Sequence, residues 1–139
     1  MNLAKAPASI LSWEAFARLS QMPNQEYYIE RIESELAIAH EAVKTGNDGK
    51  ARVCARRAAG QAISWFLTKH RRENWGPDAM SQLRALMNDH MFPDAVLAAA
   101  TRLTTKISDR FRYPFSEDPI EDACLIIDHI RRLMEPHAE

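Results

Sequence analysis

Apolar residues recur at a helical spacing along most of this 139-residue sequence, and this constrains the fold more than any other feature. From about Gln25 to Lys44 they return every three or four positions, so at 3.6 residues per turn they fall within one arc of about 100°. Acidic residues occupy the opposite side. The pattern predicts a helix with one buried face, formed by Tyr28, Ile29, Ile32, Leu36, Ala39 and Val43.

Capping and breaking residues predict where the first helices end. Ser12 is placed to cap a short N-terminal helix over residues 12–21, and Met22-Pro23-Asn24 is expected to end it. The segment Thr45-Gly46-Asn47-Asp48-Gly49 contains residues that tolerate the left-handed conformation, and its Asn or Asp can cap the next helix. The helices on either side of this segment are therefore expected to form a hairpin.

Four more helices are predicted after this segment. The first, from about Lys50 to His70, has an apolar arc of about 180° that is rich in alanine, which suits a central helix with close neighbours. The next is short and is capped near Asp78. A third opens at Pro93-Asp94 and is expected to run to about Arg110. The last helix starts at Asp118-Pro119, with Asp118 as cap and Pro119 in the first turn, and Pro136 prevents its continuation.

These segments predict an all-α fold: a single domain over residues 1–139 that forms an antiparallel up-and-down bundle of about five helices, with its core in residues 25–135. No alternating apolar pattern is long enough for a strand. A chain of this length buries about 68% of the surface that it would expose when unfolded, so it needs no disulfide or metal to fold.

Charge and motifs exclude several classes of function. The net charge of −1 favours neither nucleic acid nor membrane as an overall partner, so any such surface must be local. The sequence has no glycine-rich phosphate loop, HExxH motif or nucleophile elbow, and its two cysteines lack CxxC spacing. We therefore expect no cofactor and no metal. Without an apolar run that could act as a signal peptide or membrane span, the expected location is cytoplasmic.

Three parts of the sequence resemble the HEPN superfamily of small, commonly dimeric helical bundles. They are the helix containing Ala51-Arg52-Val53-Cys54-Ala55-Arg56-Arg57-Ala58-Ala59-Gly60-Gln61-Ala62-Ile63, the turn Arg112-Tyr113-Pro114, and the helix start Glu121-Asp122-Ala123. The resemblance covers about residues 25–134, and an unrelated antiparallel bundle is the competing interpretation. It implies either a non-catalytic binding module, often found beside a nucleotidyltransferase-type partner protein, or a metal-independent ribonuclease that joins an Arg and a His across a homodimer.

Arg84 and His90 match the Arg–His spacing that the resemblance implies for catalysis. An imidazole can take the proton of a ribose 2′-hydroxyl, while a guanidinium stabilises charge on the phosphate. Six positions along a continuous helix turn two side chains 240° apart, so the pair needs a helix end between them, for which Asn88 and Asp89 are suited. Ala85 stands where RNA-cleaving relatives often carry a polar residue. The competing interpretation is an exposed arginine and a helix-terminal histidine.

Basic and aromatic residues alternate in the turn before the last helix. Lys106, Arg110 and Arg112 flank three aromatic residues, Phe111, Tyr113 and Phe115, and such a surface can hold a phosphate and stack a base. Arg110, Arg112 and Tyr113 are the candidate ligand-binding residues, although the aromatic rings would equally serve to close the end of the bundle.

The expected function is therefore a HEPN-like non-catalytic binding module that contacts a nucleotide, RNA or a partner protein. The alternative is the endoribonuclease that uses Arg84 and His90. A third possibility is a purely structural dimer, which would use the apolar residues outside the main stripes: Tyr27, Ile38, Leu97 and Leu125.

Overall fold

The computed structural model describes residues 6–106, 115 and 117–135, with side chains from residue 25 onward. This part of the chain contains five α-helices and their connections. The helices are α1 (Ala6–Lys44), α2 (Asp48–Leu67), α3 (Ala79–Met87), α4 (Asp94–Thr104) and α5 (Pro119–Met134). These residues contain no strand, and the helices pack into a compact bundle. The all-α prediction is confirmed.

Helix α1 is continuous, and the predicted separation of a short helix over residues 12–21 is wrong. The helix begins at Ala6 and passes through Met22-Pro23-Asn24 without a break. A proline inside a helix removes one hydrogen bond and crowds the preceding turn, which commonly bends the helix but does not always end it. Pro23 therefore does not end the helix, which continues on both sides of it.

The connection between α1 and α2 is short and follows the predicted chemistry. Gly46 adopts a positive φ of 79°, its amide donates to the Val43 carbonyl at 3.0 Å, and the Asn47 amide donates to the Ala42 carbonyl at 2.8 Å. These two bonds are the Schellman arrangement that satisfies the last carbonyls of a helix. The Asn47 side chain then accepts a hydrogen bond from the Lys50 amide at 3.1 Å and caps α2.

Helix α2 lies at the centre of the bundle and packs against α1, α3 and α5. Its alanines are buried, as the wide apolar arc predicted, and Gly60 lets α3 approach very closely. A Cβ added at Gly60 would lie 2.7 Å from the Cβ of Ala79, closer than two carbon atoms can pack. The fully buried alanines of α2 are Ala55, Ala58, Ala59 and Ala62.

The remaining helices begin at the predicted residues. Asp78 accepts a hydrogen bond from the Ser81 amide at 2.8 Å and caps α3, and Asp118 accepts one from the Ile120 amide at 2.9 Å and caps α5. Helix α4, however, ends at Thr104 and not near Arg110, because Thr105 is extended with ψ at 135°. Residues 107–110 of the predicted helix lie outside the described residues.

Candidate functional site

A large cavity lies where the amino end of α2 meets α3, the carboxyl end of α4 and the start of α5. Its volume is about 810 Å³, within the range of about 300–1,000 Å³ that is typical of small-molecule sites. Basic residues from α2, α3 and the connection after α4 line it, together with apolar side chains such as Val43, Met80 and Phe115. We call it the basic cavity.

Two arginines of α2 hold one wall of the basic cavity. Arg52 is buried and donates to the Arg102 carbonyl at 2.9 Å and also to the Thr105 carbonyl. Arg56, one turn later, donates to the Leu103 carbonyl at 3.4 Å. These bonds satisfy carbonyls at the end of α4, where the Arg102 carbonyl also accepts the Thr105 amide at 3.3 Å. Burial lowers the pKa of the Arg56 guanidinium from its usual value.

Two further cations line the basic cavity, and neither forms a salt bridge with a described residue, although the charge of Arg84 helps to lower the pKa of Asp78. Arg84 lies in the last turn of α3 and Lys106 follows α4, and both are exposed. Neither side chain makes a hydrogen bond or an ion pair with another described residue. A ligand with negative charge can therefore bind both without first displacing a carboxylate of these residues.

Two of the three acidic residues that line the basic cavity contact other groups of the protein. Glu117 lies 3.8 Å from the Arg102 guanidinium, and the Asp118 carboxylate accepts the Ile120 amide. Asp48 lies in the first turn of α2, where a carboxylate is favoured by the positive end of the helix dipole. Arg84 and Lys106 are therefore the two cations of this lining whose side chains contact neither a carbonyl nor a carboxylate of the described residues.

A buried ion pair fixes α4 against α5 beside the basic cavity. Asp122 is only 1% exposed, and the guanidinium of Arg102 donates to both of its oxygens, the shortest contact being 2.7 Å. A bidentate pair of this kind defines both distance and orientation. It therefore fixes the end of α4, and with it Lys106, relative to α5.

The two predicted catalytic residues lie in different surroundings. Arg84 lines the basic cavity, whereas His90 is exposed in the connection between α3 and α4 and is not part of its lining. Helix α3 ends at Met87, with Asn88 as its C-cap, so the predicted helix end between the pair is present.

The predicted ligand-binding residues Arg110, Arg112 and Tyr113 lie outside the described residues. Lys106 and Phe115 come from the same predicted surface, and both line the basic cavity. The structure therefore brings Arg84, from one predicted site, next to the flanks of the other. Nothing in the sequence placed these two sites together.

Sequence reasoning missed the roles of Arg52 and Arg56. Arg56 is half-buried, whereas Arg57, the next residue of the helix, is exposed. The signal was present in the spacing, since residues four apart lie on the same side of a helix. Two arginines at that spacing beside an alanine-rich face could have suggested a shared contact.

Other titratable groups offer less chemistry. Burial raises the pKa of the Cys54 thiol, with a further contribution from Glu35, so Cys54 is a poor nucleophile. Within residues 25–106, 115 and 117–135, no group of three His, Cys, Asp or Glu side chains is placed to hold a metal ion. No helix in the described part of the chain combines the length and apolar character needed to cross a membrane.

No protein-family model, curated protein or solved structure matches this chain. The resemblance to the HEPN superfamily therefore depends on the residues quoted above and on the helical bundle, and it enters below as part of a proposal.

Proposed function

We propose that this protein is a HEPN-like, non-catalytic binding module whose basic cavity holds a phosphate-bearing ligand, either a nucleotide or a segment of RNA. The observation that carries the proposal is a pair of exposed cations, Arg84 and Lys106, that form no salt bridge with a described residue and line a cavity of about 810 Å³. Guanidinium and ammonium groups are the side chains that bind phosphate oxygens most strongly.

The rest of the lining suits the non-phosphate part of such a ligand. Phe115 is half-buried and Met80 lies in the first turn of α3, so a flat base would meet apolar surface beside the charges. Bases of single-stranded RNA are commonly held in this way, by stacking and apolar contact with the phosphates on basic groups. The combination favours a nucleotide over a simple inorganic anion.

The test is equilibrium binding of ADP and of a short fluorescent RNA to wild-type protein and to two charge variants. Arg84→Gln and Lys106→Gln should each weaken binding about tenfold, which corresponds to about 1.4 kcal/mol. Lys69→Gln is the matched control, because Lys69 is an exposed cation that does not line the cavity. Affinities that fall equally in all three variants, or in none, would contradict the proposal.

The finer architecture and the partners belong to the same proposal. We infer that the helices run antiparallel in up-and-down order, that the protein acts in the cytoplasm, and that it forms a homodimer or binds a nucleotidyltransferase-type partner protein. The homodimer is supported by three exposed apolar side chains, Tyr27, Ile38 and Leu125, with exposed fractions of 51%, 40% and 43%. Sedimentation of a monomer at micromolar concentration would contradict the homodimer.

A second candidate function is a metal-independent endoribonuclease that uses Arg84 and His90. Two observations favour it. Helix α3 ends at Met87, between the two residues, and both side chains are exposed, so each can reach a substrate. His90 would take the proton of the 2′-hydroxyl, and Arg84 would stabilise the phosphate across a dimer. RNA cleavage in chelator should then be lost in His90→Ala and kept in His40→Ala, whereas binding without cleavage would leave only the binding module.

A further inference from the structure

A second concave site lies on another side of α2, between α1, α2 and the start of α3. Its volume is about 420 Å³, and it shares no lining residue with the basic cavity. Most of its lining residues are polar, and they come from all three helices. We call it the polar cleft, and its size falls in the lower part of the range of small-molecule sites, about 300–1,000 Å³.

Gln82 places an unused hydrogen-bond acceptor in the polar cleft. Its side chain is 5% exposed, and its amide nitrogen donates to the Ser64 hydroxyl at 3.2 Å and to the Gly76 carbonyl at 3.3 Å. A carbonyl can only accept, so the bond to Gly76 fixes which end of the carboxamide is nitrogen. The carboxamide oxygen accepts no hydrogen bond from the residues described, and it is accessible to solvent or to a ligand in the cleft.

Glu35 adds a carboxylate that contacts the Cys54 thiol but keeps one oxygen without a donor. It is half-buried, and one of its oxygens is shielded from water without accepting a hydrogen bond from any described residue. Leaving a carboxylate oxygen in this state costs free energy, which a cationic donor in the cleft would recover after a small rotation of the carboxylate. The other carboxylate of the lining, that of Asp78, is already used because it caps α3.

Two guanidinium groups supply the opposite charge. Arg31 of α1 and Arg57 of α2 are exposed, line the polar cleft, and form no ion pair with another described residue. The Arg31 guanidinium carbon lies 5.1 Å from the centre of the Tyr27 ring, which limits its motion, whereas Arg57 has no such contact. A guanidinium offers two parallel donors that match the two oxygens of a carboxylate.

We propose that the polar cleft binds a free α-amino acid, with its ammonium group toward Glu35 and Gln82 and its carboxylate toward Arg57 and Arg31. A simple anion would be attracted by the two arginines but repelled by Glu35. A simple cation would be attracted by Glu35 but repelled by the two arginines. A molecule with both charges on neighbouring carbons satisfies both ends of a small site at once.

The test is calorimetric titration of the wild-type protein with each standard amino acid. At least one should bind with a dissociation constant of about 1 mM or lower, equivalent to about −4 kcal/mol. The N-acetyl derivative and the methyl ester of that amino acid each lack one of the two charges, so each should bind at least about tenfold more weakly. Absence of binding by every standard amino acid, or equally tight binding of either singly charged derivative, would overturn the proposal.

Variants locate the binding in the cleft and separate this proposal from the previous one. Arg57→Gln and Glu35→Gln should each weaken amino-acid binding at least about tenfold, and Arg84→Gln should leave it unchanged. Because Glu35 is half-buried, its variant is compared only if its unfolding curve matches that of wild type, whereas Arg57 is exposed and serves as the primary variant. Unchanged amino-acid binding in Arg57→Gln would overturn the proposal whatever the nucleotide titrations show.

Discussion

The two ends of α2 are closed in different ways. At its carboxyl end, Phe66 is fully buried and packs against Trp75 and Phe92, with ring centres 6.2 Å and 5.4 Å away. At its amino end, Arg52 and Arg56 reach backbone carbonyls of α4 and leave the basic cavity beside them. The aromatic rings fill the space at one end of α2. At the other end the two arginines join α2 to α4 by hydrogen bonds and leave a cavity beside them.

This difference indicates where stability and binding reside. Rings with centres about 4.5–7 Å apart contribute through apolar burial and through their edge-to-face geometry. A wall of guanidinium groups gives less apolar burial but presents charge to a ligand. We therefore expect substitutions at the aromatic end to change mainly the free energy of unfolding, and substitutions of the exposed cations at the other end to change mainly binding.

Phe66→Ala should have the largest effect on stability. Removing a fully buried phenylalanine destabilises a protein by about 3–5 kcal/mol, because apolar burial is lost and a cavity remains. Denaturant unfolding followed by circular dichroism measures the loss. Phe66→Leu should cost less than the alanine variant, and a loss under about 1 kcal/mol for alanine would show that this end is not the packed one.

Asp122→Asn should be the most damaging substitution near the basic cavity. It removes one charge of a buried bidentate pair, and Arg102 then keeps its charge with 17% of its side chain exposed. We expect a loss of about 3 kcal/mol in the free energy of unfolding. Asp128→Asn makes the same change at an exposed position of α5 and should stay within about 0.5 kcal/mol of wild type. Equal effects of the two variants would show that the pair does not hold this end.

Gly60→Ala tests the middle of α2, between its basic amino end and its aromatic carboxyl end. The new methyl group would collide with Ala79, so we expect a loss of about 1–3 kcal/mol despite the better helix propensity of alanine. Gly49→Ala is the matched control in the same helix, because its added Cβ would meet no atom closer than 4.0 Å. That variant should be neutral or more stable in the same unfolding experiment. A stabilised Gly60→Ala protein would mean that α3 can move away from α2.

The smallest effect is a pH dependence at the aromatic end. Burial, with a contribution from Arg132, lowers the pKa of His129, whose ring lies 5.6 Å from that of Phe92. The unfolded chain therefore takes up this proton more readily than the folded chain does. Stability is retained above the unfolded pKa of about 6.5 and falls as the pH drops from there through the folded pKa.

The measurement is the free energy of unfolding of wild type and His129→Gln between about pH 7.5 and pH 5. The wild type should lose more stability than the variant as the pH falls, by a small but measurable amount. His40→Gln, at an exposed position of α1, should follow the wild-type curve. Parallel curves for wild type and His129→Gln would remove His129 as the titrating group.

Local signals in the sequence predicted most of the helix boundaries. Asn47, Asp78 and Asp118 each cap a helix at the predicted position, because a cap depends only on the three residues that follow it. Pro23 was misjudged because ending a helix depends on what surrounds the lost bond as well as on the proline itself. The end of α4 could not be found from local sequence, because Arg52, about fifty positions earlier, donates to one of its terminal carbonyls.

The basic cavity was harder to predict than the fold. Arg84 and Lys106 were each noticed in the sequence, but for separate sites, because spacing along a chain does not show which helices pack together. The polar cleft was not foreseen, since Glu35, Arg57 and Gln82 occur on three different helices without any shared motif. Side chains that meet only through packing leave no periodic signal.

The three-residue connection between α1 and α2 has a consequence for the whole bundle. Asn47 serves both helices, since its amide completes the end of α1 and its side chain starts α2. One added residue between Gly46 and the start of α2 would separate these two tasks, so that one of the two helix ends would lose its hydrogen bond from or to Asn47. The length of this hairpin connection is therefore set by the residue that both helices share.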